Sequence, residues 1–173
     1  MRFGLSDLAA AGRWLRRRAE NVAVVLLATM FVCFIIQIFA RYVLNNPAGW
    51  TEEVEIATWL WVVLWGAAFV VSEKEEVRFD IIYSNISEGK RRAFTVITGM
   101  SLIGLYGASL PAAYSYVAFM KVERSAYLRV PMNYLYSIYV IFAVACICRY
   151  SWLVWRAIRG EVSPVTDPAQ LPD

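Results

Sequence analysis

The sequence predicts an all-α membrane protein: four transmembrane helices, preceded by an N-terminal amphipathic interfacial helix, with both termini cytoplasmic. Three observations predict it. Apolar residues make up 60% of the 173 residues and charged residues 18%, against about half and about a quarter in a soluble domain; the mean hydropathy is +0.50. The charges crowd between four apolar runs, about 22–43, 54–72, 93–119 and 134–155. Each is close to the roughly 20 residues that a helix needs to cross about 30 Å of hydrocarbon at about 1.5 Å per residue. The runs are continuously apolar, whereas a membrane β-barrel alternates over segments of about 10 residues.

Segment 1–21 does not span. Leu5, Leu8, Gly12 and Leu15 recur at near-helical spacing opposite Arg13, Arg16 and Arg17, the pattern of a helix lying in the interface or of a basic flank that sets topology. The first span, Val22 to Val43, carries one charge, Arg41. It exceeds the roughly 7 to 15 apolar residues of a cleaved signal and is expected to stay as an anchor. Asn45-Asn46-Pro47-Ala48-Gly49 is a turn cluster, and Thr51 can cap the second helix, so the first two spans form a tight antiparallel hairpin. From Glu73 to Arg92 the chain is charged, and Val77, Phe79 and Ile81 alternate with Arg78 and Asp80 as in a short amphipathic return. The loop Met120 to Asn133 contains Pro131, which suits a helix start nearby. The spans carry no evident break, in keeping with a static role. The four-helix domain closes near 157, and the tail 158–173, with Pro164, Pro168 and Pro172, is expected to be disordered.

Basic residues set the orientation. Arg2, Arg13, Arg16, Arg17, Arg18, Lys74, Arg78, Lys90, Arg91, Arg92, Arg156 and Arg159 fall on one side, and only Lys121, Arg124 and Arg129 on the other. The positive-inside rule therefore places both termini in the cytoplasm, with a bacterial inner membrane as the best-fitting location. The same topology accounts for the net charge of +3, and no nucleic-acid partner is indicated.

Histidine is absent, which removes bis-His haem, imidazole proton relays and most zinc sites. No span holds an acidic residue near its middle, where a coupled carrier would need one, and Glu55 lies toward a helix end. Neither a phosphate loop nor a nucleophile set is present, so no enzyme activity and no cofactor are expected. Cys33, Cys146 and Cys148 read as small packing residues.

The densest polar feature is the hairpin Arg41 to Glu55. Glu52, Glu53 and Glu55 fall in the first turns of the second helix, where its positive dipole end favours them, and Arg41 is expected to pair with one of them, holding the hairpin or docking a partner. Gly104, Ala108 and Ala112 repeat every four residues on the third span, as at close helix contacts. Gly66-Ala67-Ala68 forms a second small-residue patch. Trp61 and Trp65 share one face of the second span, which either docks against a larger membrane protein or meets lipid.

Arg41-Tyr42-Val43, Asn45, Pro47, Trp50, Glu52-Glu53, Trp61 and Leu64-Trp65-Gly66-Ala67-Ala68 form an ordered series that resembles the small, DctQ-like membrane subunit of TRAP transporters, the tripartite ATP-independent periplasmic family. The resemblance extends to Val77-Arg78-Phe79-Asp80 and to Ser125-Ala126-Tyr127-Leu128-Arg129-Val130-Pro131, covering roughly Val22 to Trp155. The chain departs from the family pattern at Glu76, where a histidine is common, and after Pro131, where Asn133 or Tyr134 stands near an expected tryptophan. It also lacks a proline common in the fourth span. The resemblance implies a noncatalytic scaffold for a separate large transport subunit, helping to dock a periplasmic substrate-binding protein in sodium-driven uptake of organic acids. The partner interface would then include Arg41, Asn45, Trp50, Glu52, Glu53, Glu55, Trp61 and Trp65. Lys121, Arg124 and Arg129 would face the binding protein, and lipid would surround the rest. The rival readings are an autonomous four-helix exporter, which lacks a deep carboxylate, and a membrane anchor for a redox enzyme.

Overall fold

In a computed structural model of the chain, residues 5–71 and 88–160 are described. They form four α-helices: α1 (Leu5–Tyr42), α2 (Gly49–Trp65), which continues as a π-helix over Gly66–Val70, α3 (Glu88–Phe119) and α4 (Met132–Ile158). All four are long and apolar enough to cross a membrane. Among the described residues, β pairing is limited to one isolated bridge between Arg124 and Pro131. The expected return around Val77–Asp80 and the proline-containing tail lie outside the described residues.

The boundaries differ from the expected ones for local reasons. No break separates the basic N-terminal segment from the first span, since neither Gly nor Pro stands between Arg13 and Tyr42. Arg16 pairs with Glu20 at 2.9 Å across the junction. α1 ends where Asn45 takes a left-handed conformation, φ 51°, which Asn tolerates better than most residues. The amides of Val43, Leu44 and Asn46 bond back to the carbonyls of Phe39 and Ala40. α2 starts at Gly49, five residues before the expected Val54, with extended Ala48 as its N-cap. Thr51 is thus not the cap. It sits inside the first turn, fully buried.

Two irregularities stand within the continuous spans. The π-helix opens at Gly66, and the amide of Val71 reaches the Gly66 carbonyl at 2.9 Å. Such wider turns interrupt α-helices at sites of special use. α3 contains Pro111, which has no amide to donate and leaves the carbonyl one turn earlier without its usual donor.

The described residues fall into two compact units, one of residues 5–71 and 111–142, the other of residues 88–110 and 143–160. In the first, α1 and α2 pack antiparallel. Gln37 meets Glu52 at one end, and Trp65 reaches Ala19 at the other. In the second, the close approach is at buried Gly99, whose missing Cβ makes room for the Val154 side chain. The Arg92 guanidinium donates to the Ile158 carbonyl, and Gly160, at φ +89°, ends α4 in the left-handed conformation natural to glycine. Arg159 stacks on Trp155 at 3.8 Å. Among the described residues the expected small-residue stripe plays no such role, because nothing lies near Gly104 and Ala108 and Ala112 are exposed.

Large apolar side chains point outward along every helix, among them Val25, Phe31, Ile56, Ile97, Leu105 and Trp152. Water would not tolerate so much contiguous apolar surface, whereas lipid tails or partner helices would. Gly99→Val should therefore lower the thermal midpoint of the detergent-solubilised protein, at an overpacking cost of about 1–3 kcal/mol. Gly104→Ala should leave it unchanged in the same melt.

Candidate partner-docking site

The polar side chains of the first span are Thr29, Cys33, Gln37 and Arg41, spaced every four residues. On a helix this makes one slanted stripe. Its middle is turned inward, for Cys33 and Gln37 are buried. A primary amide in hydrocarbon must find partners, since neither lipid nor water supplies them there. Gln37 finds them on the first turn of α2: its Nε2 donates to Glu52 Oε1 at 2.8 Å, and its carbonyl accepts from the Thr51 hydroxyl. The same hydroxyl lies 2.6 Å from the Ala48 carbonyl, so one proton is shared between two acceptors. This knot fixes the register of the hairpin. Gln37 was not among the expected site residues, although the four-residue spacing of polar side chains in an apolar run was the signal for it.

Glu53 holds the second connection. Its two carboxylate oxygens accept from the backbone amides of Tyr127 at 2.7 Å and Leu128 at 3.0 Å. The loop between α3 and α4 is itself closed. The Ser125 amide donates to the Val130 carbonyl at 3.0 Å, the Val130 amide to the Ser125 hydroxyl at 3.2 Å, and the Met132 amide to the Glu123 carbonyl at 2.9 Å. Arg129 takes a left-handed conformation, φ 56°, and the Tyr127 ring lies where a Cβ on Gly49 would stand. The result is a pinned loop whose tip exposes Lys121, Val122, Arg124, Tyr127, Leu128 and Arg129.

Other expected site residues are placed differently. Arg41 is exposed and makes no ion pair with Glu52, Glu53 or Glu55. Glu52 and Glu53 have other donors. Asn45 serves the turn, and Trp50 is part-exposed beside it. Trp61 and Trp65 do not offer their polar ends to a partner or to lipid: their indoles donate to the carbonyls of Leu135 at 3.0 Å and Ala19 at 3.1 Å. Each acceptor lies in a helix, where a carbonyl keeps a second lone pair free for such a donor.

Glu55 is the exception among the acids. It lies about 9 Å along α2 from Gly49 at about 1.5 Å per residue, deeper than expected, and its Oε1 is buried with no hydrogen-bond partner among the described residues. Cys33 of α1 is within its electrostatic reach. Glu55 lines an open groove of about 740 Å³ whose other walls are apolar, including Phe31, Phe34, Ile56 and Trp59.

The protein-family model described as "Tripartite ATP-independent periplasmic transporters, DctQ component" matches residues 30–160, more than half of the chain, from within α1 to just past the end of α4. No curated protein gives a significant match.

Glu53→Ala should free the loop amides and raise the rate of tryptic cleavage after Arg124 and Arg129, followed by gel and mass spectrometry. Gln37→Leu should lower the thermal midpoint by leaving Glu52 and Thr51 without their partner, at a cost of about 1–3 kcal/mol.

Proposed function

The chain belongs to the DctQ component family of the tripartite ATP-independent periplasmic transporters, and from that premise we propose that it is the noncatalytic brace of such a transporter. In this reading it lies in a bacterial inner membrane with both termini cytoplasmic. It supports a large transport subunit and helps to seat the periplasmic binding protein during sodium-driven uptake of organic acids. The family is one of transporter components, and Gln37, Glu52 and Glu53 are engaged in structural polar contacts.

The observation that carries the docking role is the loop pinned by Glu53. A binding protein gains from a surface that is already ordered, because less freedom is lost on association. This loop presents Lys121, Arg124 and Arg129 beside exposed Tyr127 and Leu128, a basic rim with apolar contacts. An acidic patch on the binding protein would meet it with a salt-sensitive on-rate. The orientation supports the same use, since these three are the basic residues opposite the arginine-rich side.

Replacing Lys121, Arg124 and Arg129 together by Ala should weaken association of the reconstituted membrane complex with its binding protein and flatten its dependence on ionic strength, measured by biolayer interferometry. Unchanged affinity and salt slope would remove the docking role. In a mild-detergent pull-down, one large polytopic protein should accompany the chain in near-equal amount. Recovery of the chain alone as a stable oligomer would favour the autonomous exporter instead.

A further inference from the structure

We propose that the ends of α3 and α4 that meet at Arg92 and Ile158 form a site for one anionic phospholipid, its phosphate held by the guanidinium groups of Arg92 and Arg159 and its glycerol and upper acyl chains lying against Trp152 and Trp155. The inference goes beyond the transporter role and does not depend on it, since it concerns the membrane around the chain. Arg92, in the first turns of α3, donates to the Ile158 carbonyl at the end of α4. A Cβ on Gly160 would stand 3.8 Å from its Nη1. Arg159, which follows Ile158 directly, lies over the Trp155 ring at 3.8 Å, and that ring lies 4.9 Å from Trp152. Two guanidinium groups carried by two helices are therefore drawn to one helix end, with two indoles along α4 just inside it.

The charge there is not balanced by the elements that carry it. Stretches 89–110 and 143–160 hold no acid, while Lys90 and Arg156 add to the positive charge of the same ends. Among the described residues, neither Arg92 nor Arg159 stands in an ion pair. A guanidinium has five N–H donors. Arg92 commits part of its fork to one carbonyl, the Trp155 face steadies Arg159, and both side chains are exposed. A phosphate matches such a fork in shape and charge. A soluble anion would use the two arginines and nothing else. Trp152 and Trp155 are 57% and 42% exposed, and rings of this kind near a span end lie at headgroup level, so they add an apolar wall that an amphiphile covers. A zwitterionic lipid brings an ammonium that these cations repel, which leaves a headgroup of net negative charge. Basic pockets between helices on the positively charged side of a membrane protein hold lipids of that class.

The test uses the full chain, purified in mild detergent and titrated with dioleoylphosphatidylglycerol or dioleoylphosphatidylcholine, with bound lipid counted by native mass spectrometry. One phosphatidylglycerol should be retained at concentrations where phosphatidylcholine is not. Arg159→Gln should weaken that binding about fivefold, and Arg92→Gln with Arg159→Gln about thirtyfold, the changes that one and two cationic groups at an anionic membrane surface correspond to. Arg17→Gln removes the same charge from an exposed position on α1 and should leave the binding unchanged. Arg159→Gln keeps the bond from Arg92 to α4, so its thermal midpoint should match that of Arg17→Gln. Equal retention of the two lipids, undiminished binding in Arg159→Gln, or an equal loss in Arg17→Gln would overturn the site and leave a general attraction of basic residues to the membrane. Displacement of the lipid by glycerol phosphate at the lipid's own concentration would overturn the phospholipid assignment in favour of a soluble phosphate.

Discussion

Hydrocarbon offers no hydrogen bond, and the first compact unit is organised around that constraint. The buried polar side chains Gln37, Thr51 and Thr58 all find partners in the chain. Gln37 is the centre of this logic. Buried on an otherwise apolar helix, it draws the first turn of α2 against α1 through Thr51 and Glu52. Thr58, also buried, turns its hydroxyl back to the Val54 carbonyl at 2.7 Å, as hydroxyls in membrane helices do. Once the hairpin register is set, Glu53 points to the loop and Glu55 to the groove. Slipping α2 by one residue would put Glu52 or Val54 in the place of Glu53 and an apolar residue in the place of Glu55.

Two backbone stretches find their hydrogen-bond partners differently. Where α3 passes into α4, a carboxylate gathers backbone amides and the loop closes on itself through its own hydrogen bonds. In the second unit, the C-terminus of α4 is met by a guanidinium from α3 and by a left-handed glycine. The positive charge at the carbonyl end of α4 follows the helix dipole. Aromatic rings border the basic side: Trp152 and Trp155 lie 4.9 Å apart, with Arg159 over the latter, the amphipathic edge that suits a headgroup layer.

Hydropathy alone made the four spans legible, because about 20 apolar residues in a row have one economical fate. The start of α2 was less so. Trp50-Thr51-Glu52-Glu53 looks like surface, and only the neighbouring Gln37 explains why a helix begins there with Thr51 turned inward. The four-residue spacing put Trp61 and Trp65 on one face, but lipid and a neighbouring helix are equally apolar, so the spacing did not say which they would meet. The partners of Glu53 are backbone amides, which leave no trace in residue identity. Arg41 misled for the opposite reason: opposite charges near in sequence invited a pair, while the helix geometry carried the carboxylates elsewhere.

The two indole bonds have a mechanical consequence. Trp61 and Trp65 sit one turn apart on α2 yet reach different helices, α4 at Leu135 and α1 at Ala19. A screw rotation of α2 by one residue, about 100°, or a slide by one turn, about 5.4 Å, would sever both together. α2 is therefore keyed on two sides like a shaft between two hubs, and any displacement of it has to carry those stretches of α1 and α4 along. Force arriving at the pinned loop through Glu53 would spread along this keyed trio instead of loosening one helix.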